Sequence, residues 1–272
     1  MSPDGTGPGC PRVAMVTGAA RGIGAATVRA LCAQGYGVLA VDNCAGEAAG
    51  AGVDYPLATR DDLVALAASY GDQVVPFVAD VRDRDALRAA ASTAMEVFGR
   101  IDAAVAAAAV IAGGHPLWET SDDQLRALVD VDLIGVWNTA AVTVPLMVAG
   151  PAPSGCRFVA IASSAGRHGL FGLSAYNAVK HGVVGLVRGL AEDLVGTGVT
   201  AVAVSPGSTH TAMLDATAQL YGLDSAEDFT GSSLIRRLLE PEEVAEAVAF
   251  CCSPQAASLN GSVLSADGGF RS

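Results

Sequence analysis

Lysine is almost missing from this chain of 272 residues: fifteen of its sixteen basic residues are arginines, and the exception is Lys180. Positive charge is scarce altogether, with 28 acidic residues against those 16 and a formal net charge of −12. An acidic surface repels polyanions, which argues against nucleic acid and anionic membrane as partners. The six cysteines (Cys10, Cys32, Cys44, Cys156, Cys251 and Cys252) are scattered without C-x-x-C spacing. With no apolar signal segment ahead of the first strand, they read as buried thiols in a reducing cytoplasm. His115, His168, His181 and His210 are equally dispersed, so no metal site is expected. The apolar stretches are Ala-rich and interrupted by polar residues, and none is expected to span a bilayer.

What is plentiful is material for a core, at 51% hydrophobic residues. From Arg12 onward short apolar runs alternate with longer amphipathic segments, the pattern of repeated βαβ units. The expectation is an α/β fold: one domain over 12–272, a doubly wound sheet of about seven parallel strands with helices on both faces. Strands are predicted at 13–16, 38–41, 74–78, 103–107, 157–161, 200–204 and 263–265, and helices near 22–34, 61–69, 85–98, 122–148, 175–195 and 240–252. Residues 1–11, rich in Gly and Pro, read as a loose tail. The less regular stretch 209–233, with Met213, Leu214, Leu220, Tyr221 and Leu223, reads as either a mobile lid over an apolar pocket or ordinary surface helices.

The first predicted strand runs directly into Thr17-Gly18-Ala19-Ala20-Arg21-Gly22-Ile23-Gly24 and then into a helix. Glycines there permit a tight turn and close backbone approach, and a helix N-terminus offers N–H groups to a pyrophosphate. No G-K-[S/T] follows, so the loop is not a P-loop. Asp42 closes the second strand, where a carboxylate accepts from a ribose diol and repels a 2′-phosphate; Asn43 beside it brings no compensating cation, which favours NAD over NADP. Asp80-Val81 after the third strand suits an adenine edge, one residue bonding and the other packing.

Lys180 lies four residues after Tyr176, so on a helix the two side chains share one face. A free phenol, with a pKa near ~10, is a poor base at neutral pH. A cation beside it favours the phenolate, and a shift of about 3 units corresponds to roughly 4 kcal/mol, bringing the phenol into the range of a general acid or base.

The glycine loop, Asp80-Val81, Ser163, Tyr176-x-x-x-Lys180 and Pro206-Gly207, in this order and spacing, resemble the short-chain dehydrogenase/reductase family over nearly the whole chain. The resemblance implies a Rossmann-like domain and hydride transfer between nicotinamide C4 and a carbinol carbon. Tyr176 would then be the acid/base, Lys180 would lower its pKa and hold the nicotinamide ribose, and Ser163, or failing it Ser164, would bond the substrate oxygen. Pro206 and Gly207 would shape the nicotinamide pocket, Ser208 would line it, and Thr211 would contact the carboxamide or the pyrophosphate. Asp267-Gly268-Gly269 resembles the family's structural C-terminal signature.

Two departures stand out. Relatives carry Asn-Ala-Gly after the fourth strand, where this chain has Ala107-Ala108-Ala109; contacts to the cofactor through the backbone of Ala107 and Ala108 can survive that change. Asp132 replaces the Asn that helps hold a relay water, and a carboxylate near Lys180 would alter the titration of Tyr176. Asn138 is not an obvious substitute.

The segment 43–62 reads as an insert, and its Tyr55-Pro56-Leu57-Ala58-Thr59-Arg60-Asp61-Asp62-Leu63 is similar to that of the mycofactocin-associated dehydrogenases. That likeness implies NAD held under the insert without exchanging and reoxidised by the redox carrier mycofactocin. Tyr55, Pro56 and Leu57 supply the apolar anchors a latch needs, although 46–52 alone reads as a loose surface excursion. The leading expectation is therefore an NAD-dependent dehydrogenase or ketone reductase of a small apolar secondary alcohol, a homotetramer by family habit. The alternatives are a 3-oxoacyl-thioester reductase and a non-enzymatic dinucleotide-binding sensor or scaffold.

Overall fold

In the computed structural model, residues 11–48 and 50–271 are described. The predicted tail (apart from Pro11) and Cys10 lie outside them. Seven strands, β1 (Val13–Thr17), β2 (Gly37–Asp42), β3 (Val74–Val78), β4 (Ala103–Ala106), β5 (Arg157–Ile161), β6 (Thr200–Pro206) and β7 (Val263–Ala266), form one sheet in the order β3-β2-β1-β4-β5-β6-β7. Every pairing is parallel. Strand β1 pairs with β2 on one side and β4 on the other, so the winding reverses there and a crevice opens beyond the carboxyl ends of the strands.

All residues of β1, β2, β4 and β5 are buried, which is why they read as unbroken apolar runs. One face of the sheet is covered by α3 (Arg84–Phe98), α5 (Gly135–Val148) and α6 (Ser174–Asp193), whose Leu87, Met147 and Val183 pack with Met15, Leu39 and Phe158. The other face is covered by α1 (Gly22–Ala33), α2 (Arg60–Ala68) and α8 (Pro241–Cys252), with Leu31, Leu63 and Val248 around Val16 and Val38. Local signals set the boundaries. Reciprocal capping boxes, Thr59 with Asp62 and Ser121 with Gln124, open α2 and α4 (Asp122–Leu128), and Gly99 in the left-handed region ends α3.

The predicted helix at 122–148 is more elaborate than a single helix: α4 passes through a wide π turn, Val129–Ile134, into α5. Gly135, at the exit, lets this turn approach the segment that follows β3, since a Cβ there would stand 2.5 Å from Val81 Cγ2. Contrary to the expectation that no stretch is apolar enough to span a bilayer, Asp122–Val148 has the length and hydropathy to do so; half of its most apolar window is buried, and α5 packs on α3 and β4 as a core helix. Within 209–233 the chain forms α7 (Ala212–Leu220) and a 3-10 segment, Ala226–Ser232.

Candidate active site

A cleft of about 880 Å³ follows the carboxyl ends of the strands. Every predicted site residue lines it except Asp132, which lies behind Lys180. At the floor, the glycine loop is packed too tightly for side chains. A Cβ on Gly18 would sit 2.6 Å from the Ala108 backbone, and one on Gly24 would sit 1.9 Å from the Gly18 carbonyl oxygen. Helix α1 starts here with no side-chain cap and no acidic residue in its first turn, which leaves N–H groups for an anion. The replaced tripeptide is held by its backbone, Ala107 N–H donating to Thr17 Oγ1 at 3.3 Å.

Asp42 is buried and fixed, with Oδ2 accepting from Ala20 N–H at 3.1 Å and Oδ1 from Cys44 N–H at 3.0 Å. Each oxygen keeps lone pairs to accept a ribose hydroxyl. Asp80 is paired with Arg82, and Asn43 donates to the same carboxylate; burial works against its charge, but these contacts outweigh it and hold the carboxyl below its usual range. Asn138 had no role legible from its sequence position. Its amide donates to the carbonyls of Val81 (3.0 Å) and Arg82 (3.3 Å), and its oxygen accepts from Arg84, so it pins the Asp80–Arg82 turn. A glycine cradle, an uncapped helix start and a strand-end carboxylate together fit a dinucleotide with an unmodified ribose.

At the centre, Tyr176 and Lys180 share one face of α6, as i,i+4 spacing requires, with Nζ 5.5 Å from the phenol ring centroid. Nζ donates to the Ile161 carbonyl at 3.3 Å and stands 3.1 Å from Asp132 Oδ2, while Asp132 Oδ1 accepts from Val110 N–H at 2.9 Å. Burial raises the Tyr176 phenol above its ordinary value; Lys180 opposes this, Asp132 adds to it, and a hydrogen bond with Ser163 favours the phenolate. Lys180 alone therefore favours the phenolate, but burial and Asp132 prevail, and the phenol stands above its ordinary value rather than below it as the sequence led us to expect. Burial also disfavours the Lys180 ammonium, yet Asp132 and Tyr176 more than compensate and hold it above its usual value. Ser163 and Ser164 both line the cleft; only Ser163 bonds the phenol.

The segment 43–62, read above as an insert, lines the cleft through Asn43, Ala51, Val53, Leu57 and Ala58 and has specific fastenings. Arg21 Nη1 donates to the Pro56 carbonyl at 2.7 Å and its guanidinium lies 5.6 Å from the Tyr55 ring centroid. The Tyr55 hydroxyl accepts from Ile111 N–H at 3.2 Å, and Val53 is buried beside Ile111, Leu128 and Tyr176. Sequence reasoning identified Tyr55 only as an apolar anchor; its hydroxyl bond needs a partner more than fifty positions away and left no local signal. Opposite, Met213, Leu214, Tyr221 and Leu223 from the 209–233 stretch line the cleft, and the Tyr221 hydroxyl donates to the Phe171 carbonyl. Phe171 and Phe270, both missed, complete this apolar end. His210 lines the cleft, whereas His168 stacks near Phe270, His115 bonds Gln124 and His181 bonds the Asn177 carbonyl. Among the described residues no cluster of metal ligands occurs.

A switch-point crevice with a glycine cradle and a buried Tyr–Lys pair defines a dinucleotide-binding α/β oxidoreductase. Residues 18–271 match the family described as Enoyl-(Acyl carrier protein) reductase. The chain is 36% identical over 270 residues to an uncharacterized oxidoreductase of Mycobacterium tuberculosis, covering 95% of this chain and 96% of the other. It is 33% identical over 274 residues to the (-)-trans-carveol dehydrogenase of Rhodococcus erythropolis, with coverage of 95% and 96%. A carveol dehydrogenase from Mycobacterium avium, solved in complex with NAD, superposes with a TM-score of 0.87 at 30% identity, covering 97% of this chain and 99% of that one. The chain belongs to the short-chain dehydrogenase/reductase family.

Proposed function

We propose that the protein is an NAD-dependent dehydrogenase that interconverts a small, neutral, cyclic secondary alcohol and its ketone. The observation that carries this reading is the polarity of the cleft. Its charged lining residues, Arg21, Arg29, Asp42, Asp80, Arg82 and Lys180, belong to the glycine loop, α1, the strand ends and the Tyr–Lys pair, whereas the walls beyond Tyr176 are mainly Leu, Met, Phe and Tyr side chains, with Thr217, Ser232 and His210 as neutral polar groups. An apolar end without a fixed cation suits an alicyclic alcohol better than a phosphorylated carrier thioester, the alternative that the family's description brings forward. The two carveol dehydrogenases among its relatives act, by name, on such an alcohol.

NAD, when bound, supplies the hydride acceptor. Gly18, Arg21, Gly22, Ile23 and Gly24 would hold the pyrophosphate side, Thr211 the pyrophosphate or the carboxamide, Asp42 would accept from the ribose hydroxyls, and Asn43, Asp80 and Val81 would frame the adenine. The backbone of Ala107 and Ala108, with Pro206, Gly207 and Ser208, shapes the nicotinamide end. Ser163 bonds the substrate oxygen, Tyr176 exchanges the hydroxyl proton, and Lys180 orients the ribose and steadies the charge of the phenolate. The three fastenings of the insert, Arg21 to Pro56, Tyr55 to Ile111 and buried Val53, support the finer reading that NAD stays bound through turnover and passes its electrons to mycofactocin. Exposed Trp137 and Ile134 along the π turn and α5 support burial of that face between subunits, as a homotetramer would provide.

The experiment is to purify the protein, dialyse it and assay a panel of cyclic and linear secondary alcohols with an artificial electron acceptor and no added NAD. Retained NAD and acceptor reduction driven best by cyclic alcohols are the expected outcome. Turnover that needs added NADPH and a thioester would instead establish the carrier-reductase alternative.

A further inference from the structure

The pocket holds a carboxylate that the proton route above does not use. Asp132 sits on the π turn Val129–Ile134 with its side chain fully buried, and the Lys180 side chain is only 1% exposed. Lys180 Nζ and Asp132 Oδ2 are 3.1 Å apart, and the Val110 N–H at 2.9 Å fixes the other carboxyl oxygen, so the group cannot swing away from Lys180; burial pushes the Asp132 carboxyl up, while Lys180 and the Val110 N–H work to keep it ionised. The titratable groups facing the phenol are Lys180 from α6, Asp132 from the π turn and Tyr55 from the insert; Arg21 lies over the far partner, Tyr55. Seen from the phenol, Lys180 and Asp132 form a short dipole, whose field falls off faster than that of a lone cation.

We propose that Asp132 is a positioning residue that neutralises Lys180, so that Tyr176 keeps its proton at neutral pH and alcohol oxidation through it needs a higher pH than a lone cation would allow. The proposal deepens the reading above and rests on Tyr176 as the acid/base. The sign follows directly. Oxidation needs the phenolate, so a phenol raised by burial and by Asp132 moves the acidic limb of the oxidation profile to higher pH, while reduction, which needs the phenol, persists through neutrality.

The test is a tyrosinate absorbance titration of the cofactor-free protein, taken as the difference between wild type and Tyr176→Phe, and repeated in the Asp132→Asn background. It is paired with the pH profile of kcat/KM for alcohol oxidation. Asn keeps an oxygen for the Val110 N–H but removes the charge. The expected result is a fall of about 1–3 units in both midpoints, with alcohol oxidation at neutral pH rising. Unchanged midpoints in folded Asp132→Asn would overturn the proposal, because that outcome follows if Asp132 already carries a proton and Asn merely copies its shape and charge. If Asp132→Asn does not fold, the wild type decides: a Tyr176-dependent step below the ordinary value of ~10 overturns the proposal, and no such step below it supports it. Full turnover by Tyr176→Phe would remove the acid/base assignment itself, which the difference titration does not depend on, so the two failures are distinguishable.

Discussion

Single side chains in this molecule act through what fixes them. Asp42 is held by two backbone amides before any ligand arrives, so its acceptor directions are set in advance. Removing it should cost NAD a charge-assisted pair of hydrogen bonds, about 1.5–3 kcal/mol or roughly 10- to 100-fold in affinity. For NADP the same change also removes a repulsion, so Asp42→Ala should weaken NAD far more than NADP in a binding titration; equal losses would show that the carboxylate does not face the ribose. The pair Tyr176–Lys180 was legible in the sequence because i,i+4 spacing is a local rule. The family resemblance made Asp132 legible as a carboxylate near Lys180, but not its 3.1 Å contact or its anchor on the Val110 N–H, because the first joins positions 48 apart and the second a distant loop. The role of Asn138 was hidden for the same reason: its partners are backbone carbonyls of a distant turn.

At the scale of elements, all seven strands appear where apolar runs lie between turn signals, and the six predicted helices appear within a few residues of their expected limits. The wide turn inside 122–148 was invisible, since an extra residue in one helical turn leaves the apolar periodicity on either side nearly intact. The insert shows how a glycine-rich segment that looks loose in sequence becomes anchored by contacts made elsewhere. Gly52 has φ +82, and a Cβ there would stand 2.4 Å from the Asp123 carbonyl oxygen, so it is the point where the insert presses on α4. Gly52→Ala should lift this edge of the insert. The expected outcome is that bound NAD dissociates at least about tenfold faster, equivalent to ~1.4 kcal/mol, while a single hydride transfer from bound alcohol keeps its rate. An unchanged dissociation rate, followed by displacement with labelled NAD, would separate the insert from cofactor retention.

For the molecule as a whole, the parallel order with its reversal at β1 places the ends of β1, β4, β5 and β6 side by side, and this convergence gathers residues 18 to 270 into one cleft. Composition and alternation carried the fold class, because a sheet buried on both faces needs unbroken apolar strands and βαβ crossovers need the helices between them. They did not carry the shape of the substrate end, which Phe171, Met213, Tyr221 and Phe270 build from separate loops and helices with no shared motif. That the assembled cleft moves a proton through Tyr176 is tested most directly by mixing cyclic alcohol with NAD-loaded wild type and Tyr176→Phe and following reduced-nicotinamide absorbance in a single turnover. With the phenol oxygen gone and the ring retained, NAD should stay bound and hydride transfer should slow by about 10²-fold or more. Transfer at the wild-type rate in a variant that still holds NAD would contradict the assignment.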